Sequence, residues 1–338
     1  MFAKVPPLII AAAASLCKRG VRGLINYYKD QDNKMIRIDE AQIGCWICVT
    51  NPSETEISAL EDDMKVERDY IRAALDEEEP SRIESNDGVT LIVLDYPIAE
   101  QDNDPDKTLL YSTTPMSIII TESNVITVSA KDNLVLDELA KGVVKGVHTN
   151  LKTQFVFTIL LRIAARYLQY LKQINKLSNY VEGKMYLDIK NQGLIQLQGL
   201  EKSLVYFSTA LKSNETVLDK LMRGRFLKLY EEDQELLDDV IIEVKQAIEM
   251  TNIYSNILNS TLDTFASIIS NNLNIIMKRM TTITIILTMP TIVFSFYGMN
   301  LHENAGGLPM ANVWFPILLS VLLGVGIWLW LYKIEKFK

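Results

Sequence analysis

The sequence predicts an α/β cytoplasmic domain, a long stalk helix and a two-helix transmembrane region. Three observations carry that prediction. Residues 24–130 alternate short runs rich in Val, Ile, Tyr and Thr with one helical run. Beyond about Asn133 the strand signals stop, and apolar residues recur at three- and four-residue steps. Near the C-terminus, residues 280–299 and 313–332 form two uncharged runs of 20 residues each. At about 1.5 Å per residue, each is long enough to cross a hydrocarbon layer of about 30 Å.

Residues 1–23 read as an N-terminal extension. Lys4 precedes an apolar run over residues 5–16, which is too short to span and is broken at its start by Pro6 and Pro7. A cleaved signal peptide is the alternative. The α/β domain follows over residues 24–147, with strands expected at LINYY, MIRI, CWICVT, VTLIVLDYPI, TLLYST, MSIIITE and VITVSA. Ser53 with Glu56 three residues on is a capping-box signature. It opens a helix expected to run to about Leu75, ahead of the acidic turn DEEEP.

The three cysteines, Cys17, Cys45 and Cys48, suit a reducing compartment. Cys45 and Cys48 have the C-x-x-C spacing of a redox pair or of half a zinc site. No second pair exists, and the chain has only His148 and His302. IGCWICVT also reads as a buried strand, and we read it so.

Residues 148–231 are expected to form a helical hairpin of the cytoplasmic domain, with KSNETV (212–217) at its tip. A helix then runs over 232–299, its stalk portion being 232–279 and its first span 280–299. Leu236, Val240, Ile241, Val244, Ala247, Ile248, Thr251, Tyr254, Ile257, Leu258, Thr261, Leu262 and Phe265 form a stripe on it, and no Gly or Pro interrupts before Pro290. Such a helix is about 100 Å long. Nothing in one copy of the chain covers that length, so the stripe implies packing against other copies.

Basic residues orient the spans. Lys278 and Arg279 precede the first, and Lys333, Lys336 and Lys338 follow the second in the tail, 333–338. The connecting loop, 300–312, has neither Lys nor Arg and carries Glu303. The positive-inside rule puts both termini in the cytoplasm and the loop outside. The net charge of −8 therefore lies on the cytoplasmic part and argues against nucleic acid as a partner.

Within the first span the polar residues are ordered. Asn274, Met277, Thr281, Thr284, Thr288, Thr291 and Ser295 follow three-four spacing, and the next step lands on Gly298. Every uncharged polar side chain between Thr281 and Ser295 lies on this seam except Thr282. Two readings are open: the hydroxyls help helices pack, or a bundle turns them inward around a water-filled path. The absence of bulky aliphatic residues after Met277 favours the path. No Asp, Glu or His lies on the seam, which disfavours proton coupling. Neutral oxygens suit an ion such as Mg²⁺ that keeps its water shell. Met277 and Met280 would narrow the cytoplasmic end, and Lys278 and Arg279 beside them would repel cations unless they point outward.

Tyr297-Gly298-Met299-Asn300, closing the first of two C-terminal spans, resembles the Gly-Met-Asn signature of the CorA magnesium transport family. NIIMKRMTTITIILTMP before it is similar to that family's pore helix, and PSRIE (80–84) followed by TLIVLDY is similar to its soluble domain. The resemblance runs from about residue 24 to the end. It implies a homopentameric, funnel-shaped channel in the cell (inner or plasma) membrane, passing Mg²⁺, Co²⁺ or Ni²⁺ down the membrane potential. Asn300 would ring the outer mouth and meet hydrated Mg²⁺. Gly298 would let backbones approach, Tyr297 would anchor the motif, and Asn274 would ring the inner end, with Met277 and Met280 as the gate.

The resemblance also implies closure by cytoplasmic Mg²⁺ bound between subunits. One sensing acid falls on Asp239, beside Asp238. The partner slot falls on Ala73, with Asp76, Glu77 and Glu78 following. Mg²⁺ is thus the transported and the regulatory ion, and no organic cofactor is implied. The loop LHENAGGLPMAN departs from the family pattern, although Glu303 would still attract cations. Two rivals remain: a relative that moves Zn²⁺ or Co²⁺, against which Met299 argues, and a membrane-anchored oligomeric scaffold without transport. An enzyme is disfavoured by the lack of a phosphate loop or a nucleophile–base set.

Overall fold

Alternating β-branched and aromatic residues draw the first part of the chain into one seven-stranded sheet. The computed structural model describes residues 24–31, 34–100, 110–187, 191–227, 229–298 and 314–336. The strands are β1 (Leu24–Gln31), β2 (Lys34–Ile38), β3 (Trp46–Thr50), β4 (Arg82–Asn86), β5 (Val89–Glu100), β6 (Leu110–Ile120) and β7 (Val125–Ser129). Their order is β2-β1-β3-β7-β6-β5-β4, and only β3 and β7 pair in parallel.

Helices α1 (Glu54–Met64) and α2 (Arg68–Arg72) cover one face, over Ile47, Val49, Leu91, Val93, Ile119 and Val128. The capping box forms as its sequence predicts: Ser53 Oγ accepts from the Glu56 N–H, and the Glu56 carboxylate accepts from the Ser53 N–H. The expected single helix is nonetheless two. Lys65 ends α1 in the left-handed region at φ 54°, and its N–H still reaches Glu61 O at 3.0 Å. Buried Val66 then turns into the core, 1% exposed.

α3 (Leu134–Ala140), capped by Asn133, is followed by α4 (Lys152–Leu187), α5 (Asn191–Met222), α6 (Glu231–Tyr297) and α7 (Trp314–Lys336). The other sheet face packs on α4 and α5. Trp46 sits 5.3 Å from Phe155, and Tyr167 meets Phe207 edge-on at 5.0 Å. Cys45 and Cys48 are buried free thiols at β3, and burial pushes the Cys48 thiol up to about 12. This fits a strand, not a redox pair.

Three further expectations are corrected. Arg82–Asn86 is a strand that its polar composition concealed. TLLYST and MSIIITE merge into β6 around Pro115. The missing Pro N–H breaks no bond there, because β7 pairs with β6 only from Met116 onward. Finally, residues 212–217 are not a hairpin tip but lie inside α5. The interval between α4 and α5 is 188–190, outside the described residues.

The reason is Asn214, 6% exposed. Opposite Pro115, the Asp95 backbone cannot bond to β6 as a donor–acceptor pair and turns the other way, past Arg82, the first residue of β4. There the Asn214 amide takes the place of a strand. Its Oδ1 accepts from the Asp95 N–H at 3.0 Å and its Nδ2 donates to Asp95 O at 2.8 Å. Tyr167 Oη also donates to Asp95 O, at 3.1 Å.

The start of α6 carries Glu231, Glu232 and Asp233 in its first turn, complementing the helix dipole. Gln154 Nε2 donates to Glu232 Oε2 at 3.2 Å. Further along, Val240 and Val244 line a small apolar space with Leu160, Ala164 and Tyr167. α4 and α6 therefore run parallel here. Leu237, Val240, Ile241, Val244, Ala247 and Thr251 are all buried within the one chain. The stripe expected to need other copies is thus covered in cis over this stretch. The described residues fall into two compact units, dividing at Thr261 and Leu262.

Candidate functional site

α6 continues without interruption to Tyr297, with Pro290 inside it. Pro290 removes the N–H that would have bonded the Ile286 carbonyl. α6 and α7 are the two helices long and apolar enough to cross a membrane. Tyr297 and Phe315 pack their rings 6.3 Å apart where the two helices meet. Below that contact Val293 is 7% exposed and Ser320 3% exposed. Thr282, Ile286, Met289 and Tyr297 are half-buried on the same side of α6.

The seam is on the other side. Asn274, Met277, Thr281, Thr284, Thr288, Thr291 and Ser295 are all exposed in the single chain. At about 100° per residue, Thr284 lies about 180° from Val293, and Thr288, Thr291 and Ser295 lie about 140–160° from it. The small-residue side of α7, with Pro316 and Ser320 buried, thus takes the aliphatic face and leaves the hydroxyl face bare.

Each seam threonine donates its proton to the carbonyl four residues back. Thr281 reaches Met277 O at 2.8 Å, Thr284 reaches Met280 O at 2.9 Å, Thr288 reaches Thr284 O at 2.7 Å and Thr291 reaches Leu287 O at 3.2 Å. With the proton committed to the helix, each Oγ turns only lone pairs outward. Such an oxygen accepts from water, and the waters around a divalent cation point their hydrogens away from it. The row therefore presents acceptors to water or to any other donor that meets it.

Met277 and Met280 are 65% and 61% exposed beside the seam. Asn274 makes no hydrogen bond among the described residues. Gly298 donates to Phe294 O at 2.9 Å, and a Cβ there would meet that oxygen at 3.2 Å, so the helix closes most easily on glycine. Met299, Asn300 and Glu303 lie outside the described residues. The same exposed face continues back from Asn274 through Asn271, Ser267 and Thr264. The sequence reading stopped short of these, although their three-four spacing carries the signal.

Asp238 and Asp239 are exposed on α6, between buried Leu237 and Val240. The partner slot at Ala73 is closed, 5% exposed within the apolar cluster under α2. In the acidic turn, Glu77 pairs with Lys131 at 2.9 Å and Glu79 pairs with Arg82. Asp76 Oδ1 accepts from the Glu78 N–H at 3.0 Å, and neither Asp76 nor Glu78 has an ion pair among the described residues. Among the described residues of one chain, no three His, Cys, Asp or Glu converge as a metal site.

Comparison with known proteins agrees along the length of the chain. The cobalt/magnesium transport protein CorA of Methanocaldococcus jannaschii is 26% identical over 291 residues, covering 82% of this chain and 86% of that one. The complete structure of the CorA magnesium transporter from the same organism superposes with a TM-score of 0.76 at 25% identity, covering 92% of this chain and 97% of that chain. The soluble domain of that protein matches at 0.63 and 24% identity, covering 72% and 97%. The family model described as CorA-like Mg²⁺ transporter protein matches residues 41–333. With the match running from just before β3 to the end of the second span, the chain belongs to the CorA-like Mg²⁺ transporter family.

Proposed function

We propose that the chain forms a homopentameric pore in the cell membrane that admits Mg²⁺, and also Co²⁺ or Ni²⁺, driven by the membrane potential. The family is one of transporters, not enzymes. The observation that carries the reading is the hydroxyl row on α6, bare on the face opposite α7 and presenting only acceptors. Five such rows around an axis would line a path for a hydrated cation, and Asn300 would receive the ion at the outer mouth. Met277 and Met280 would form the apolar constriction at the inner end, with Asn274 beside them. Both termini are assigned to the cytoplasm by the basic residues at the inner ends of the spans.

Closure by cytoplasmic Mg²⁺ is the second part of the proposal. Asp238 and Asp239 would hold the ion with a neighbouring subunit, since one chain offers no complete ligand set. In the acidic turn Asp76 and Glu78 have no ion pair among the described residues, so they replace the closed slot at Ala73 as partners.

The test is Mg²⁺ entry into liposomes carrying the full chain, followed with an internal dye. Uptake by the wild type and its loss in Asn300→Ala is the expected result. Uptake unchanged in Asn300→Ala would overturn the assignment of the outer mouth. Uptake of no divalent ion would favour a scaffold.

A further inference from the structure

The acidic turn after α2 already meets two cations of its own chain, and they differ in origin. Arg82 follows the turn directly and pairs with Glu79 and Glu84. Lys131 comes from the connection between β7 and α3. Its Nζ lies 2.9 Å from Glu77 Oε1 and 3.1 Å from Glu100 Oε1, so one ammonium ties the turn to the end of β5. The stem of that lysine is fixed from both sides. Buried Tyr96 donates its hydroxyl to Lys131 O at 2.9 Å. Two residues on, buried Asn133 caps α3 by accepting from the Val135 N–H at 2.9 Å, and its Nδ2 donates to Met116 Sδ at 3.3 Å.

A lone surface ion pair is worth little, because two long side chains must give up their freedom to hold it. Here the backbone is anchored and two carboxylates share the ammonium, which keeps the charge at the turn. Glu77 stands between Asp76 and Glu78, the acids proposed above as partners of Asp238 and Asp239. Asp76 Oδ1 accepts from the Glu78 N–H at 3.0 Å and Asp76 O from the Glu79 N–H at 3.2 Å, so the acids share one tight turn. A cation on Glu77 acts on an ion at Asp76 and Glu78 in two ways. It occupies a carboxylate that could otherwise join the ligands, and its charge repels a divalent ion. A unit charge about 8 Å from a divalent ion changes affinity about fivefold in water, and less as salt screens it.

We propose that Lys131 is a tethered counter-cation that holds Glu77 out of the regulatory ligand set and so sets how much cytoplasmic Mg²⁺ closes the pore. It is a positioning residue, touching a carboxylate of the turn and not the ion. Without it the turn offers three acids in place of two, with one less positive charge beside them. The proposal rests on the closure reading above and assigns its threshold to one side chain.

The test is the Mg²⁺ concentration that half-protects the full chain, in detergent micelles, against chymotrypsin at about 0.02 M and about 0.5 M salt. Lys131→Gln should lower that concentration about tenfold at low salt and about twofold at high salt. Lys131→Arg should stay within about twofold of wild type, which separates charge from misfolding. Glu77→Gln combined with Lys131→Gln should also return within about twofold of wild type, because the gain needs the freed carboxylate. Protection that is present in wild type but unmoved or weakened by Lys131→Gln would overturn this proposal alone. So would a gain that persists in the double variant or is equal at both salts. Protection absent from wild type and from Lys131→Gln alike would overturn the closure reading, and this proposal with it.

Discussion

Asn214 and the threonines of α6 are both polar groups in apolar surroundings, and they are resolved in opposite ways. The Asn214 amide is closed by the Asp95 backbone, with donor and acceptor matched inside one chain. The threonines close only their donors and leave their acceptors facing out of the chain on an exposed face. A closed polar group is structure, and an open row of one polarity is a surface awaiting something else. The distinction separates residues that hold the fold from residues that await water, ions or another copy.

The largest expected effect breaks the closed side. Asn214→Leu leaves the Asp95 N–H buried without a partner and its C=O with Tyr167 alone, beyond the first residue of β4, and should lower stability by about 3 kcal/mol. Urea unfolding of the full chain measures this. An effect below about 1 kcal/mol would mean that water or Ser81 replaces the amide.

Asp95 itself gives the next effect. Burial raises its carboxyl from the usual carboxylate range to about 6, against which the Ser81 hydroxyl helps only partly. A pKa raised in the folded state means that folding favours the neutral acid. Its contribution is full below about pH 4 and is lost as the pH rises through 6. Asp95→Asn should raise stability at pH 7 by about 2 kcal/mol and flatten the dependence between pH 4 and 7. Unfolding midpoints across that range check it, and an unchanged slope would place the titration elsewhere.

On the open side the expected change is in transport and not in folding. Thr284→Val and Thr288→Val should each cut Mg²⁺ uptake about tenfold. Thr282→Val, whose hydroxyl makes the same backbone bond at 2.9 Å on the half-buried side, should stay within about twofold. Equal losses at all three would mean that the hydroxyls serve helix geometry alone. The smallest effect is local: Lys65→Gly should stabilise by about 0.5–1 kcal/mol by relieving the left-handed backbone at φ 54°, read as a small rise in Tm.

Much of this was legible in the sequence, and the omissions share a cause. Strands with β-branched runs, the Ser53 capping box and the hydroxyl seam each declare themselves through local chemistry or spacing. KSNETV misled because a polar cluster looks the same whether it meets water or a strand edge. Only the tertiary position of Asp95 tells the two apart. β4 was missed because RIESN carries one buried residue, Ile83, and takes its pairing from β5. The turn at Lys65 has no Gly or Pro to mark it. The stripe from Val240 to Thr251 was rightly read as needing a partner, but periodicity does not say whether that partner lies in the same chain.

The central claim is that the seam faces the ion and the aliphatic residues flanking it do not. It is tested most directly by attaching a bulky cationic thiol reagent at Thr288→Cys and at Leu287→Cys, both in a Cys17→Ser background that leaves only buried Cys45 and Cys48. Leu287 is 64% exposed but lies off the seam. Modification should block Mg²⁺ uptake at Thr288→Cys and spare it at Leu287→Cys. Block at position 287 with uptake intact at position 288 would contradict the account.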